Sequence, residues 1–236
     1  MRKALPLFLA LAAAAVLLRM GQSAVTADNR TTIPAETKYV ALTFDDGPKA
    51  GTTDLLLDGL RERGASATFF VVGEQAVIHT DLLRRMQEEG HQVGNHTWSH
   101  VRLQGSAPEV RRSEIAQVDA LLTEVLGEGM YWLRPPYGQV SPGTEQEISV
   151  PMVKWSVDPR DWESRDRKKV VAAVLANTKP NSIILLHDIY PSTVEAALEI
   201  VDVLQAQGYV FVTVEELLRL NGVTPQPGVL YRTGTG

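Results

Sequence analysis

Short apolar runs alternate with longer amphipathic segments along most of the chain. Runs of four to eight residues rich in β-branched and aromatic side chains predict buried strands, whereas apolar residues three and four positions apart predict helices. Strands are predicted at residues 38–44, 67–72, 92–94, 131–134, 152–157, 183–186 and 209–213. Helices are predicted at residues 55–63, 81–89, 109–126, 168–177, 193–207 and 214–220. This alternation is typical of an α/β protein.

The order of the segments also predicts their topology. Parallel strands joined by right-handed helical crossovers satisfy this order, and the absence of an internal linker indicates one domain. We therefore expect a single α/β domain with a barrel-like sheet over residues 38–220. Residues 28–37 are polar and contain Pro34, as linkers do. Residues 221–236 are rich in Gly, Pro and Thr, which predicts a flexible tail.

The N-terminus has the layout of a secretory signal. Arg2 and Lys3 precede an uncharged apolar run over residues 4–18, and small and polar residues follow it. This run is shorter than the roughly 20 residues that span a bilayer comfortably. A cleaved signal peptide over residues 1–27 is therefore the first interpretation, and an uncleaved signal anchor is the second. Either predicts a secreted or extracytoplasmic protein, tethered to the membrane in the second case.

Composition and charge restrict the function. The 236 residues are 44% hydrophobic and 22% charged, which is typical of a globular protein and excludes a disordered, collagen-like or polytopic membrane chain. The net charge is −5 and the basic residues are scattered, so nucleic acid is not an expected partner. No feature predicts a protein partner. Because the sequence has no cysteine, any metal must be bound by histidine and carboxylate side chains.

Two adjacent carboxylates follow the first predicted strand. Asp45 and Asp46 stand in the segment Thr-Phe-Asp-Asp-Gly-Pro, and parallel α/β sheets bind ligands at the carboxyl ends of their strands. Asp, Gly and Pro also form turns, so a purely structural interpretation stays open. Two neighbouring carboxylates repel each other, however, and a cation beside them relieves that repulsion.

Three of the five histidines lie at or just after predicted strand ends. His96 and His100 are four residues apart, a spacing at which two rings on a helical turn can bind one metal. His187 follows the apolar strand at residues 183–186 and has either a structural or a catalytic role. His79 and His91 lie beside helical segments without a partner in the pattern, and we interpret them as surface residues.

Two further polar blocks also follow predicted strands. Arg134 begins the segment Arg-Pro-Pro-Tyr-Gly, whose prolines stiffen the loop. An arginine held there can bind a carboxylate through two hydrogen bonds and keep it ionised; a solvated arginine in a surface turn is the alternative. Residues 155–162, Trp-Ser-Val-Asp-Pro-Arg-Asp-Trp, place acids between indole rings that suit the apolar faces of sugars.

These motifs, in this order, resemble the polysaccharide deacetylases of carbohydrate esterase family four. The resemblance covers residues 39–220 and rests on the four blocks above together with Leu-Leu-His-Asp at residues 185–188. It implies a distorted barrel of seven or eight β/α units. It also implies a metal-dependent hydrolase that removes acetyl groups from N-acetylglucosamine residues of a polysaccharide.

The resemblance implies a role for each matched residue. The implied ligands of a divalent metal, zinc first and cobalt or a similar ion as alternatives, are Asp46, His96 and His100. Asp45 would be the general base, and Arg134 would position it. His187 would be the general acid, and the backbone N–H of Tyr137 would complete the oxyanion site.

The resemblance also implies which acid orients His187. In the family this acid stands four residues before the tryptophan of its block, which here is Asp158 ahead of Trp162. Asp161 is the alternative. Trp162 and Leu185 would flank the acetyl group.

The expected partner is an N-acetylated glycan substrate, with peptidoglycan first. Chitin oligomers and O-acetylated xylan are alternatives, because the surface loops that select a polymer cannot be interpreted from one sequence. A carbohydrate-binding protein with an inactive site is a third alternative. It is disfavoured because every matched position has a chemically competent side chain.

Overall fold

The structure, a computed structural model, describes residues 37–236. The predicted signal peptide or anchor over residues 1–27, and all but the last residue of the predicted linker, lie outside this range. Among the described residues, no helix combines the length and the apolar character needed to cross a membrane.

Strands and helices alternate through the described residues as predicted. The strands are β1 (Lys38–Asp45), β2 (Thr68–Val71), β3 (Gln92–Asn95), β4 (Met152–Val153), β5 (Ile183–His187), β6 (Tyr209–Phe211) and β7 (Leu230–Tyr231). The helices are α1 (Thr53–Glu62), α2 (Gly73–Ala76), α3 (Thr80–Glu88), α4 (Pro108–Leu126), α5 (Pro142–Glu145), α6 (Asp161–Ser164), α7 (Arg167–Asn177), α8 (Pro191–Ala206) and α9 (Val214–Leu220). The six predicted helices correspond to α1, α3, α4, α7, α8 and α9, each within two residues of its predicted bounds.

Strand β1 lies at the centre of a parallel sheet with the order β3-β2-β1-β5, and β6 pairs with the first residues of β1. Six of its eight residues are buried, which is why its sequence is a nearly continuous apolar run. The register pairs Asp45 of β1 with Phe70 of β2 and with His187 of β5. Because the carboxyl ends of these strands are level, the polar residues that follow them lie at one edge of the sheet.

Isolated bridges and a short second sheet extend the main sheet at both edges. β4 pairs with β7 in parallel, Leu133 bridges Asn95 and Met152, and Val157 bridges Ile184 of β5. Residues 131–134 and 154–157, predicted as strand, therefore contribute single bridges instead of ladders. Prolines at positions 135, 136 and 151 lack the N–H that a ladder needs. The predicted α/β fold with a parallel sheet is confirmed, and the segment 131–157 accounts for its distortion.

Residues 221–236 pack against the domain, so the prediction of a flexible tail is wrong. Tyr231 is buried in β7, and its hydroxyl accepts a hydrogen bond from the backbone N–H of Gln226 at 2.9 Å. The N–H of Gly234 donates to the carbonyl of Asn181 at 2.8 Å. The composition of the segment did not reveal that two of its apolar residues, Leu230 and Tyr231, cover the edge of β4.

His91 is buried, which corrects its interpretation as a surface residue. Its side chain is 7% exposed, and its Nδ1 accepts a hydrogen bond from the backbone N–H of Ala67 at 3.1 Å. The ring lies edge-on to Phe69. Burial lowers the pKa of His91 to about 4, so the ring is neutral and belongs to the core.

Candidate functional site

One cavity of about 360 Å³ brings together most of the residues that the sequence indicates, at the carboxyl ends of β1, β3 and β5. Its lining residues are Asp45, Asp46, His96, His100, Tyr137, Trp155, Asp158, Trp162, Leu185, His187 and Tyr190. Arg134 lies directly behind this surface and is fully buried. Residues from five separate sequence blocks therefore converge, as the topology of a parallel sheet predicts.

Asp46, His96 and His100 form a cluster suited to a metal ion. Oδ1 of Asp46 lies 3.6 Å from Nε2 of His96 and 3.4 Å from Nε2 of His100, and one ligand atom of each residue lies within 4.8 Å of the others. Asp46 Oδ1 is buried, yet it has no hydrogen-bond partner among the described residues. A buried carboxylate oxygen without a donor is costly, so these three side chains fit a divalent cation.

The two histidines present the ring nitrogens that a cation needs. Nδ1 of His96 lies 2.7 Å from the carbonyl oxygen of Arg134 and can only donate to it, which leaves the lone pair of Nε2 directed at the cluster. Burial lowers the pKa of His100 below its ordinary value, and the neighbouring His96 acts in the same direction. The His100 ring is therefore neutral, as a ligand must be.

The loop that carries both histidines is held from two sides. Thr97 and His100 have positive φ values of 67° and 57°, a conformation that costs a non-glycine residue about 1–3 kcal/mol and needs support from its surroundings. On one side, the carbonyls of Thr97 and Trp98 accept hydrogen bonds from the first two amides of α2, at 3.0 Å each. This contact fixes the middle of the loop.

Helix α4 holds the same loop from the other side. The Glu114 carboxylate accepts hydrogen bonds from the backbone N–H and the hydroxyl of Ser99, both at 2.8 Å. Asn95 accepts from the N–H of Thr97 and donates to Asp119 of α4. The positions of both histidine ligands therefore depend on side chains from outside the cavity.

Asp45 is paired with a fully buried arginine. The guanidinium of Arg134 donates to Oδ1 of Asp45 at 2.7 Å and also to the hydroxyl of Thr43 at 2.7 Å. The carbonyl of Lys154 accepts another of its hydrogen bonds, and the guanidinium lies 4.2 Å from the centroid of the Phe70 ring. Burial lowers the pKa of Arg134 and the adjacent Asp45 opposes that shift. The pair keeps the Asp45 carboxylate in one orientation beside the metal cluster.

His187 is oriented by Asp161, and the assignment of this role to Asp158 is wrong. Nδ1 of His187 lies 2.9 Å from Oδ1 of Asp161, whose Oδ2 accepts from the His187 backbone N–H and from the Thr193 hydroxyl. Asp158 is exposed and instead accepts from the backbone N–H of Arg160. The chain reverses at Arg160, which has a φ of 55°, so the first residue of α6 is the one that turns inward.

The surroundings of His187 favour its charged form. Burial lowers the pKa of His187, but the hydrogen bond to Asp161 and the charges of Asp161, Asp45 and Asp46 outweigh burial and raise the pKa to about 9. An imidazolium with this pKa is a proton donor at neutral pH. His187 lines the same cavity as Asp45, its partner in the β1–β5 register.

Aromatic and apolar side chains form the opening of the cavity. Tyr137 and Trp162 are 51% and 44% exposed, which is unusual for such large apolar surfaces, and Leu185 is buried. Tyr137 has a φ of 61° within a one-turn 3-10 helix, and its ring packs edge-on against His100. Trp155 is one of the two indoles predicted to suit a sugar face, whereas no role was predicted for Tyr190, although it follows His187 by only three residues at the same strand end.

Asp188 is a buried acid that the sequence assigned to no role. It is fully buried, accepts a hydrogen bond from the Thr53 hydroxyl, and packs so closely on Gly47 that a side chain at position 47 would collide with it. Burial raises the pKa of Asp188 to about 7, against the effect of the Thr53 hydrogen bond. Asp188 thus shapes the turn that follows Asp46.

The chain is similar to known proteins over most of its length. A family model described as polysaccharide deacetylase matches residues 32–150. The chain is 38% identical over 180 residues to the peptidoglycan-N-acetylglucosamine deacetylase PgdA of Listeria monocytogenes, covering 76% of this chain and 39% of that protein. The chain therefore spans about two fifths of that relative's length.

Other relatives are matched over nearly their whole length. A peptidoglycan-N-acetylglucosamine deacetylase of Bacillus cereus is 37% identical, with 79% of this chain and 91% of that protein covered. A chitooligosaccharide deacetylase of Azorhizobium caulinodans is 36% identical, with 80% of this chain and 96% of that protein covered.

Solved structures give the same result for the fold. A structure described as T48 deacetylase with substrate has a TM-score of 0.79 and 40% identity, over 83% of this chain and 96% of that one. A family 4 acetyl xylan esterase from Clostridium thermocellum in complex with cobalt has a TM-score of 0.79 and 35% identity, over 83% and 98% of the two chains. With the convergent acids, histidines and arginine described above, these matches show that the chain belongs to the polysaccharide deacetylase family.

Proposed function

We propose that this protein is a metal-dependent hydrolase that removes acetyl groups from N-acetylglucosamine residues of a polysaccharide, most favourably peptidoglycan. The observation that carries the proposal is that one cavity holds a carboxylate and an imidazolium beside three side chains suited to a metal ion. Asp45 is held by a buried arginine, and His187, its partner in the β1–β5 register, has a pKa of about 9. Asp46, His96 and His100 form the cluster that lines the same cavity.

The proposed metal is zinc, bound by Asp46, His96 and His100, with cobalt or a similar divalent ion as the alternative. Two imidazoles and one carboxylate leave coordination positions for water and a substrate oxygen, a pattern typical of catalytic rather than structural zinc sites. A cation there polarises the acetyl carbonyl and makes a bound water more acidic. Mixed nitrogen and oxygen ligands accept several divalent ions, which agrees with the cobalt in the esterase structure.

Asp45 is proposed as the general base. Its Oδ1 is committed to Arg134 at 2.7 Å, and its Oδ2 lies 3.6 Å from the Nε2 of His96, toward the metal cluster. Asp45 would take the proton of the attacking water as the water oxygen bonds to the acetyl carbon. Arg134 would hold the Asp45 carboxylate in place for this transfer, and the Tyr137 N–H would donate to the oxygen that becomes negative.

His187 is proposed as the general acid. An amide nitrogen is a poor leaving group unless it is protonated, so the reaction needs a donor on the side opposite the base. His187 would deliver its proton to that nitrogen as the C–N bond breaks, and Asp161 would stabilise the imidazolium until then. Trp162 and Leu185 would flank the acetyl methyl group at the opening of the cavity.

Peptidoglycan is the favoured polymer because relatives from two genera are named for its deacetylation. Chitin oligomers and acetylated xylan are the alternatives, since one matched relative is named for each. A bacterial wall polymer lies outside the cytoplasm. The proposal therefore places the protein there, as the signal-like residues 1–27 predict, either released or held by an uncleaved anchor.

Acetate release tests this proposal. The full chain loaded with zinc is incubated with peptidoglycan, chitin oligomers and acetylated xylan, and free acetate is measured before and after chelation. Acetate release from peptidoglycan that stops on chelation and returns with zinc is the expected result. His96→Ala should abolish acetate release. His79 does not line the cavity, so His79→Ala should release acetate as the wild type does. Release that is indifferent to chelator, or absent on all three polymers, would refute the proposal.

A further inference from the structure

Positively charged side chains lie over the aromatic rings that line the cleft. The guanidinium of Arg102 lies 4.9 Å from the centroid of the Tyr137 ring. The guanidinium of Arg165 lies 4.6 Å from the centroid of the Tyr190 ring. Both distances are typical of a cation–π contact, which holds each charge at a fixed place on the opening of the cleft.

A lysine occupies the equivalent position on a third ring. The ammonium of Lys154 lies 5.5 Å from the centroid of the Trp155 ring. Burial and the nearby charge of Arg232 both lower the pKa of Lys154. An anion bound beside Lys154 would relieve its repulsion by Arg232. Arg160 lies over Trp162 in the same way, but Glu163 pairs with it at 2.9 Å and compensates its charge.

A fifth cation lines a second cavity that continues from the first. This cavity of about 420 Å³ shares Asp46 and His100 with the catalytic cavity, and Lys49 is the only lysine or arginine among the described residues that line either one. The backbone N–H of Lys49 donates to the Thr53 hydroxyl at 2.8 Å, and its ammonium donates to the carbonyl of Ile189 at 3.2 Å. These two hydrogen bonds hold Lys49 in the lining of a cavity that also contains Asp46 and His100.

Four of these cations remain available to a ligand, and together they are called the basic rim: Lys49, Arg102, Lys154 and Arg165. Within residues 37–236, none of the four has a carboxylate within 4 Å, whereas Arg63, Arg85 and Arg111 elsewhere on the surface do. The whole chain has a net charge of −5, so this concentration of positive charge runs against its average.

We propose that the basic rim selects glycans whose sugars carry carboxylates, such as the lactyl carboxylate of muramic acid, over neutral glycans built from the same N-acetylglucosamine. This inference rests on the proposed function. It assigns to four residues outside the metal cluster the choice of polymer that the family relationship leaves open.

The electrostatic reason for this selection lies in the acidic residues that line the catalytic cavity. Asp45, Asp46 and Asp158 line the catalytic cavity. Arg134 compensates the charge of Asp45 and a bound cation would compensate that of Asp46, but Asp158 has no ion-pair partner within residues 37–236 and repels a polymer that carries carboxylates. The Debye length at physiological ionic strength is about 8 Å, so cations on the rings beside those acids act on a bound sugar or its neighbour. A neutral polymer gains nothing from these charges, and complementary charges therefore separate the two substrates.

The test compares one glycan with and without its charge. Glycan strands freed of stem peptides carry muramyl carboxylates, and conversion of these carboxylates to amides gives a neutral strand of the same length. The quantity measured is the ratio of kcat/KM on the charged strand to kcat/KM on the amidated strand, for the full chain with zinc. Because a folding defect affects both substrates equally, the ratio reports charge selection alone.

In the wild type the ratio should exceed one at low salt and decline as salt is added. Lys49→Gln, Arg102→Gln and Arg165→Gln should each lower the ratio by about 2- to 5-fold, the usual range for exposed charge pairs, and the triple variant by at least about 10-fold. Arg84→Gln is the matched control, because Arg84 is exposed on α3 and contacts only Thr80; it should keep the wild-type ratio.

Two results would overturn the inference. A wild-type ratio of one, or a triple variant with the wild-type ratio, would show that the rim does not select charge while the deacetylase activity itself stands. Absence of acetate release from both strands would instead overturn the proposed function and, with it, this inference.

Discussion

Replacement of Asp161 by asparagine isolates the effect of one buried charge on His187. Asp161 is fully buried and accepts three hydrogen bonds, two of them from His187 and one from Thr193. Asparagine has nearly the same shape but no charge, and its amide nitrogen must face one of those donors. The substitution therefore removes the group that stabilises the His187 imidazolium and leaves the ring buried.

The size of the effect follows from two histidines of this protein. His187 has a pKa of about 9, and its difference from the ordinary value of about 6.5 corresponds to about 3 kcal/mol. His91 is buried without a hydrogen-bonded carboxylate and has a pKa of about 4. Because Asp161→Asn makes the surroundings of His187 more like those of His91, the pKa of His187 should fall below 6.5.

The pKa of His187 determines how both the stability of the fold and the activity depend on pH. In the wild type, protonated His187 stabilises the fold fully below pH 6.5, and this contribution is lost as the pH rises through about 9. Activity that needs the imidazolium should decline over the same alkaline range; a bound cation shifts that range downward in wild type and variant alike. In Asp161→Asn the protonated fraction at pH 7 should fall below about one quarter.

Two measurements check the prediction. NMR titration of the histidine ring signals in the metal-free protein gives the pKa of His187 directly, and the pH dependence of acetate release gives the alkaline limb in the zinc-loaded protein. Asp158→Asn is the matched control, because Asp158 lines the same cavity but contacts the backbone of Arg160. A His187 pKa that stays near 9 in Asp161→Asn, or falls equally in Asp158→Asn, refutes the reasoning.

Three further predictions concern the other proposed groups. Alanine at Asp46, His96 or His100 should lower the zinc content and the activity while the thermal unfolding of the metal-free protein is little changed; stoichiometric zinc in all three variants would contradict the ligand assignment. Asp45→Asn should keep its zinc yet lose roughly 100-fold or more in turnover, and zinc loss from this variant would mean that the two acids have exchanged roles. His187→Ala should remove the alkaline limb and reduce N-deacetylation more than hydrolysis of an activated aryl acetate, whose leaving group needs no proton; equal losses on both substrates would argue against an acid role.

Sequence reasoning located the site well because the strands of a parallel sheet end at one edge. Asp45, Asp46, His96, His100 and His187 were each recognisable as polar residues that leave an apolar run, and the structure brings all five into one cavity. Helix positions could be predicted from periodicity, because the apolar stripe that a helix buries repeats every three to four residues.

The errors arose where long-range contacts decide the outcome. Spacing could not distinguish Asp158 from Asp161, because the choice depends on a reversal of the chain at Arg160. His91 looked like a surface residue because its partner, the Ala67 amide just before β2, is 24 residues away in the sequence. The composition of residues 221–236 indicated a flexible tail, but the free edge of β4 provides Tyr231 with a pairing partner.

The support of the histidine loop from two sides has a consequence for ion supply. The amides of α2 and the Glu114 carboxylate of α4 hold the loop through bonds that do not include the ion. The proposed histidine ligands would thus be ordered before an ion arrives, and loss of the ion would leave the polypeptide folded. Metals can then exchange in the native protein. Since nitrogen and oxygen ligands accept several divalent ions, the ion that the enzyme carries follows from what its surroundings supply.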